Sequence, residues 1–165
     1  MHHLINRLKE IGVIYKAQVT LRSGQTSEFY CDMKKAWGHP DILNGLADEV
    51  GKRLPEGTTC VAASGYGGLP LGAVVASRFN LKFTEVRNTP KEHGKAQQID
   101  GYIPGDHDLV VIVDDVLTTG HSIQGTIIPL QEMGIRPHSA VIVIKRENPE
   151  IGIPYAYVFE VAEIL

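Results

Sequence analysis

Cysteine is scarce in this chain: Cys31 and Cys60 are its only two in 165 residues. Both sit in strand-like segments and read as free, buried thiols rather than as a disulfide framework. No group of Cys and His has the spacing of a zinc site. No apolar run approaches the roughly 20 residues a membrane-crossing helix needs. The start, MHHLINRLKEIG, reads as an amphipathic helix and lacks the apolar core and cleavage site of a signal peptide. The cytoplasm is therefore the expected compartment, with no membrane partner. Neither sign of charge dominates: 16 Lys and Arg stand against 19 Asp and Glu, so the basic footprint of a nucleic-acid binder is missing. The GxxxxGK[ST] phosphate loop and the GxGxxG dinucleotide fingerprint are absent too. With no repeat, low-complexity tract or linker, the length fits one domain over residues 1–165.

The hydrophobic pattern supplies the framework. Residues 2–11 are expected to form a short helix, and 19–24 and 27–33 two strands around Ser23-Gly24-Gln25. Residues 41–54 place Ile42, Leu43, Leu46, Ala47 and Val50 at helical spacing. TCVAAS (59–64) reads as a buried strand, SGYGG (64–68) as a turn, and the segment from about 69 to 78 as a helix. LKFTEV (81–86) is the next strand. Residues 87–105 are polar and hold Pro90, Gly94, Gly101, Pro104 and Gly105, which predicts a long mobile loop, with room for a hairpin in QQIDGYI. LVVIV (109–113) reads as a central parallel strand buried on both faces. A helix over 121–133, closed by Gly134, and strands over 138–145 and 154–159 follow. From Thr58 onward strands alternate with helices, the pattern of an α/β protein with a central parallel sheet flanked by helices. Ligands of such sheets bind beyond the carboxyl ends of the strands. Three unusual turns fall there: SGYGG, RNTPKEHGK and DDVLTTGHS.

DDVLTTGHS (114–122) carries the clearest chemistry. It leaves a buried strand and leads into a helix, whose free N–H groups and dipole favour an anion. Thr118, Thr119 and Ser122 add hydroxyls, and Gly120 lets backbone approach a phosphate. Asp114 and Asp115 suit sugar hydroxyls or a magnesium ion better than phosphate itself. The segment thus reads as a sugar-phosphate site. A bare helix cap is the plain alternative, and the acidic pocket of a receiver domain would want the pair near the start of the chain.

VVIVDDVLTTGHS resembles the phosphoribosyl-pyrophosphate (PRPP) motif of type I phosphoribosyltransferases. TLRSGQTSEFYCD and VRNTPKEHGKAQQIDG resemble the N-terminal segment and the mobile catalytic loop of orotate phosphoribosyltransferases, in the same order and spacing. The resemblance implies the type I phosphoribosyltransferase fold, with a core over roughly 41–146. A small hood would be formed by 1–35 and the C-terminal strand 154–161, and the mobile catalytic loop would span 87–105. It implies transfer of the 5-phosphoribosyl group from PRPP to orotate, giving orotidine 5′-monophosphate and pyrophosphate for pyrimidine synthesis. Catalytic roles fall on Lys91, His93 and Asp115. PRPP binding falls on Arg87, Asn88, Lys91, His93, Lys95, Tyr66, Gly67 and the run Asp114, Asp115, Val116, Leu117, Thr118, Thr119, Gly120, His121 and Ser122. Orotate binding falls on Arg22, Tyr30, Cys31, Thr118 and Arg146. Arg146 would pair its planar guanidinium with the orotate carboxylate. Mg²⁺ is implied as the PRPP counterion, held through substrate oxygens and water with help from Asp114 and Asp115. A homodimer with shared active sites is implied as well.

Two of the departures from the resemblance, which also include Arg22, Cys31 and His121, remove a cation. Asn88 stands where the family usually has a second lysine, and Gly67 where many relatives carry one. Transfer to another base, and a non-catalytic PRPP- or nucleotide-sensing regulator on the same fold, remain the alternatives. The first is opposed by the KEHG loop and Arg146. The second is opposed by a start too short for a DNA-binding segment.

Overall fold

A computed structural model of the chain describes residues 1–20, 26–89 and 98–165. In chain order the elements are α1 (His2–Glu10), β1 (Ile14–Thr20), β2 (Thr26–Cys31), α2 (Lys34–Trp37), α3 (Pro40–Gly51), β3 (Cys60–Ser64), α4 (Gly65–Arg78), β4 (Lys82–Val86), β5 (Ile99–Gly101), β6 (Val110–Leu117), α5 (His121–Glu132), β7 (Ser139–Lys145), β8 (Tyr155–Glu160) and α6 (Val161–Ile164).

Among the described residues, six strands form one sheet in the order β5-β4-β3-β6-β7-β8, all parallel to their neighbours except β5. The apolar runs of β3, β6 and β7 are buried on both faces because alternate residues serve different layers. Val61, Val111, Val113, Val141 and Val143 meet Leu46 and Val50 of α3 and Leu71 and Val75 of α4. Ala62, Val110, Ile112, Ala140 and Ile142 meet Ile123, Ile127 and Leu130 of α5. This is the α/β architecture expected from the alternation of elements. β1 and β2 pair antiparallel as a separate two-stranded sheet. α1 returns to the body and buries Leu4 and Leu8 in the core shared with α3 and α6.

Four local expectations are corrected. The strand at 109–113 runs on to Leu117, so the acidic pair lies inside β6; the ladder to β7 continues through Asp114↔Ile142 and Val116↔Ile144. The glycine-rich segment at 65–68 is the first turn of α4, not a turn preceding it. The C-terminal strand assigned to the hood is instead the edge of the main sheet. Its residues Ala156, Tyr157 and Phe159 stand opposite Val141, Ile142 and Ile144 of β7. Phe159 is buried in the main core, which ties the strand to the body. Finally, Ile99–Gly101 is a strand paired with β4, where a hairpin within QQIDGYI was expected. The short α2 was not foreseen, and the predicted turn at Ser23-Gly24-Gln25 lies outside the described residues. Both cysteines are buried and free, as expected.

The β4–β5 hairpin is held at its base by one carboxylate. Asp108 accepts hydrogen bonds from Tyr102 Oη (2.8 Å), Thr59 Oγ1 (2.8 Å), the Gly105 amide (2.9 Å) and Lys82 Nζ (3.2 Å). Those donors, the Gly105 amide foremost, hold its carboxyl well below the usual range. The segment between β4 and β5 thus springs from a stem fixed at the end of the sheet away from the acidic pair.

Candidate active site

The carboxyl ends of β3 and β6 lie side by side, and a helix leaves each. Ser64 ends β3 and precedes α4; Gly120 precedes α5. Among the described residues neither helix has a side-chain hydrogen bond capping its N-terminus. The first-turn N–H groups of both are therefore open to an anion, and both dipoles point positive ends into the same region. Gly65 (φ +67°) and Gly120 (φ +80°) supply left-handed backbone where α4 and α5 begin. At Gly120 a Cβ would also lie 2.6 Å from Ile151 Cγ2. Thr119, His121 and Ser122 are exposed around the start of α5, with Thr118 half-buried. Tyr66 projects into solvent beside the start of α4.

Between these helix N-termini sits the acidic pair. Asp114 is 4% exposed. Its Oδ1 accepts the Asp115 amide at 2.9 Å, while Oδ2 is buried with no hydrogen-bond partner among the described residues. Burial, reinforced by the Asp115 charge, pushes the Asp114 carboxyl well above the ordinary range. Asp115 is partly exposed, and its Oδ1 accepts the Val116 amide at 2.8 Å. Burial raises its carboxyl too, while the Lys34 ammonium works the other way.

The glycines of α4 let the backbone close on this pair. A Cβ at Gly68 would lie 3.0 Å from the Val113 carbonyl and 3.2 Å from Asp114 Oδ1, and one at Gly67 would overlap the Asp115 carboxylate. Gly67, conspicuous in the sequence for lacking a cation, therefore makes room for Asp115. Gly67→Ala is expected to displace that carboxylate and lower kcat/KM at least tenfold, with a melting temperature within about 3 °C of wild type, the shift of roughly 1 kcal/mol. Steady-state kinetics beside thermal unfolding checks this. Asn88 also joins the start of α4: a Cβ at Gly65 would lie 3.6 Å from its Nδ2. Arg87 is turned into the hairpin stem, where Nε pairs with Asp100 and the amide donates to the Gln98 carbonyl at 2.7 Å.

The third wall comes from β2 and the end of β7. Cys31 is buried, and its thiol is pushed up to about 12 by burial and then by Asp115, against the charges of Arg146 and Lys34. Burial thus favours the neutral thiol over the thiolate. The Arg146 guanidinium lies 4.4 Å from the Phe29 ring centroid. The Arg146 amide donates to the Leu117 carbonyl at 2.8 Å, which fixes it beside the end of β6. Tyr30 packs at 5.7 Å from Tyr15 between centroids and has the Lys34 ammonium 5.8 Å from its ring. Lys34 also bridges Asp32 at 2.8 Å.

The expected residues Asn88, Tyr66, Gly67, Asp114–Ser122, Cys31 and Arg146 thus gather at one end of the sheet. Arg22, Lys91, His93 and Lys95 lie outside the described residues. Three contributors had not been singled out: Phe29, Lys34 and the buried Ser64. Alternation along β2 could have flagged Phe29; nothing local marks Lys34 or Ser64. Among the described residues no three His, Cys, Asp or Glu side chains converge to hold a metal, and no helix is long and apolar enough to cross a membrane.

Comparison with known proteins bears on what this site does. The phosphoribosyl transferase domain model matches residues 40–164. The orotate phosphoribosyltransferase of Methanopyrus kandleri is 35% identical over 145 residues, covering 88% of this chain and 78% of the relative. The crystal structure of orotate phosphoribosyltransferase from Aeropyrum pernix superposes with a TM-score of 0.81 at 28% identity, covering 98% of this chain and 96% of that one. The Leishmania donovani UMP synthase structure shares the fold at a TM-score of 0.82 and 23% identity; the chain covers only 36% of its length. The domain match, the sequence identity and the shared fold show that this chain belongs to the phosphoribosyltransferase family, among the orotate phosphoribosyltransferases.

Proposed function

We propose that the chain transfers the 5-phosphoribosyl group of PRPP to orotate, releasing pyrophosphate and forming orotidine 5′-monophosphate. The observation that carries the reading is the pair of helix N-termini without a side-chain cap among the described residues, flanking an acidic pair whose Asp114 is buried. PRPP has an anion at each end and a ribose diol between them. The turn at 118–122 receives the 5′-phosphate, Asp114 and Asp115 accept hydrogen bonds from the ribose hydroxyls, and the amides at 65–68 receive the pyrophosphate. Asn88 adds a neutral donor there. The orotate ring lies against Tyr30 and Cys31, with its carboxylate on Arg146 and with Arg22 and Thr118 at its edge.

As the bond from the anomeric carbon to pyrophosphate breaks, positive charge grows on the ribose and negative charge on the leaving group. Asp114 and Asp115 face the first. The basic loop residues Lys91, His93 and Lys95 answer the second, joined by Arg87 once it leaves Asp100, with Lys91 the principal cation and His93 a proton donor to pyrophosphate. The donor set fits Mg²⁺: Asp114 Oδ2 is a buried oxygen without a partner among the described residues, and two carboxylates suit an ion that keeps substrate oxygens and water. Bound there, Mg²⁺ would neutralise pyrophosphate charge. The division into a core, a hood built on the 1–35 segment and a loop within 87–105, ahead of β5, that closes on the substrates belongs to the same reading. So do a homodimer with shared sites and a cytoplasmic location.

The test follows the loss of orotate ultraviolet absorbance with PRPP and magnesium, beside Lys91→Ala. Wild-type turnover falling at least a hundredfold in the variant is expected, the scale of losing one charge-stabilising group. Wild-type protein that binds PRPP and leaves orotate untouched would overturn the assignment of the base.

A further inference from the structure

Ser64 holds the N-cap position of α4, where serine ordinarily accepts a hydrogen bond from the helix N-terminus. Here it does not. Its hydroxyl lies 2.7 Å from Thr126 Oγ1, in the second turn of α5. Either hydroxyl can donate in that bond, and Thr126 Oγ1 also lies 3.3 Å from the Ser122 carbonyl, which can accept from it. Ser64 is 5% exposed and Thr126 2% exposed. The pair is thus a dry bond between the residue that opens the glycine-rich turn and the helix that opens at the hydroxyl-rich turn. It ends on Ser122, the last residue of that second turn. Among the described residues no side-chain cap competes for the amides of α4.

We infer that the Ser64–Thr126 bond is a positioning device that sets the spacing between the two anion-binding turns, 65–68 and 118–122. The inference rests on the proposed placement of pyrophosphate at the first turn and 5′-phosphate at the second. PRPP spans both turns and gains from a fixed separation, because its second anion then binds as an intramolecular step. Ribose 5-phosphate and pyrophosphate each need one turn only. Neither residue touches substrate; both act through the backbone they hold.

This separates a spacing role from ordinary packing. Thr126→Val keeps the shape and removes the hydroxyl. In magnesium-containing buffer it is expected to weaken PRPP binding by calorimetry about tenfold. The affinities of ribose 5-phosphate and of pyrophosphate, read by competition against PRPP, are expected to stay within twofold of wild type. Thr126→Ser is expected to restore PRPP binding. Ser64→Ala breaks the same bond from the other side and should reproduce the Val variant, which keeps the test open if Thr126→Val folds poorly. Unchanged PRPP affinity in both hydroxyl-deleting variants would overturn the inference, as would a parallel loss for a single fragment, which signals local damage to one turn. Wild-type protein that binds neither PRPP nor the fragments would remove the functional reading and this inference with it; intact wild-type binding beside unaffected variants removes the inference alone.

Discussion

Asp114→Asn is expected to lose about a thousandfold in kcat/KM and yet to melt higher than wild type above pH 5. The loss follows from charge: the amide cannot face the positive ribose as a carboxylate does, and removing one such preorganised group typically costs about 10²–10³ in rate. The gain follows from burial. Asp114 Oδ1 keeps its bond from the Asp115 amide in either residue, but only the acid can place a charge on the buried Oδ2, which has no partner among the described residues. Burial and the Asp115 charge raise the folded-state carboxyl above its unfolded value. Below about pH 4, the ordinary aspartate range, the side chain is protonated in both states and the folded chain carries no penalty. As pH rises toward the raised folded value, the wild type loses stability and the amide does not. The difference in melting temperature should therefore be near zero at pH 4 and grow to a plateau of about 3 °C or more, corresponding to roughly 1 kcal/mol in a domain of this size. Thermal unfolding from pH 4 to 8 reads it. A melting difference that shrinks with rising pH would contradict the assigned direction.

Arg146→Ala is expected to raise the KM for orotate about a hundredfold while leaving PRPP affinity within twofold. Truncating one partner of a buried, hydrogen-bonded charge pair costs about 2–5 kcal/mol, and a hundredfold lies inside that range. The split between substrates follows from placement: Arg146 stands at the end of β7, stacked on Phe29, whereas the two open helix N-termini follow β3 and β6. Arg146→Lys should recover only part of the loss, since a point charge cannot reproduce the planar fork. Steady-state kinetics with each substrate varied in turn separates the two constants. A KM for PRPP that rises in step with that for orotate would place Arg146 in a general structural role.

Much of this protein could be read without coordinates, and the reason is locality. The buried strands of the main sheet are short apolar runs, the helices between them show their own periodicity, and 118–122 joins glycine to hydroxyls within five residues. Each of these signals is written in neighbouring positions, so the α/β alternation, the glycine- and hydroxyl-rich turn and the acidic pair were legible. Two cysteines in strand-like settings were likewise enough to expect free, buried thiols.

What only the tertiary structure decided involves residues far apart in the chain or competing local signals. The acidic pair interrupts an apolar run, yet the ladder to β7 carries β6 through it, because backbone pairing is indifferent to the side chains it passes. The last strand joins the main sheet because Phe159 finds the core there, a preference that no pattern within 155–160 expresses. Gly67 looked like a missing cation until Asp115, 48 positions later, was found to occupy the space a Cβ would need. Ser64 and Thr126 stand 62 residues apart, and two lone hydroxyls in a sequence say nothing of each other. Composition and periodicity determined which segments would fold and what chemistry they carry; the packing of α5 against the end of β3 decided how far apart that chemistry is held.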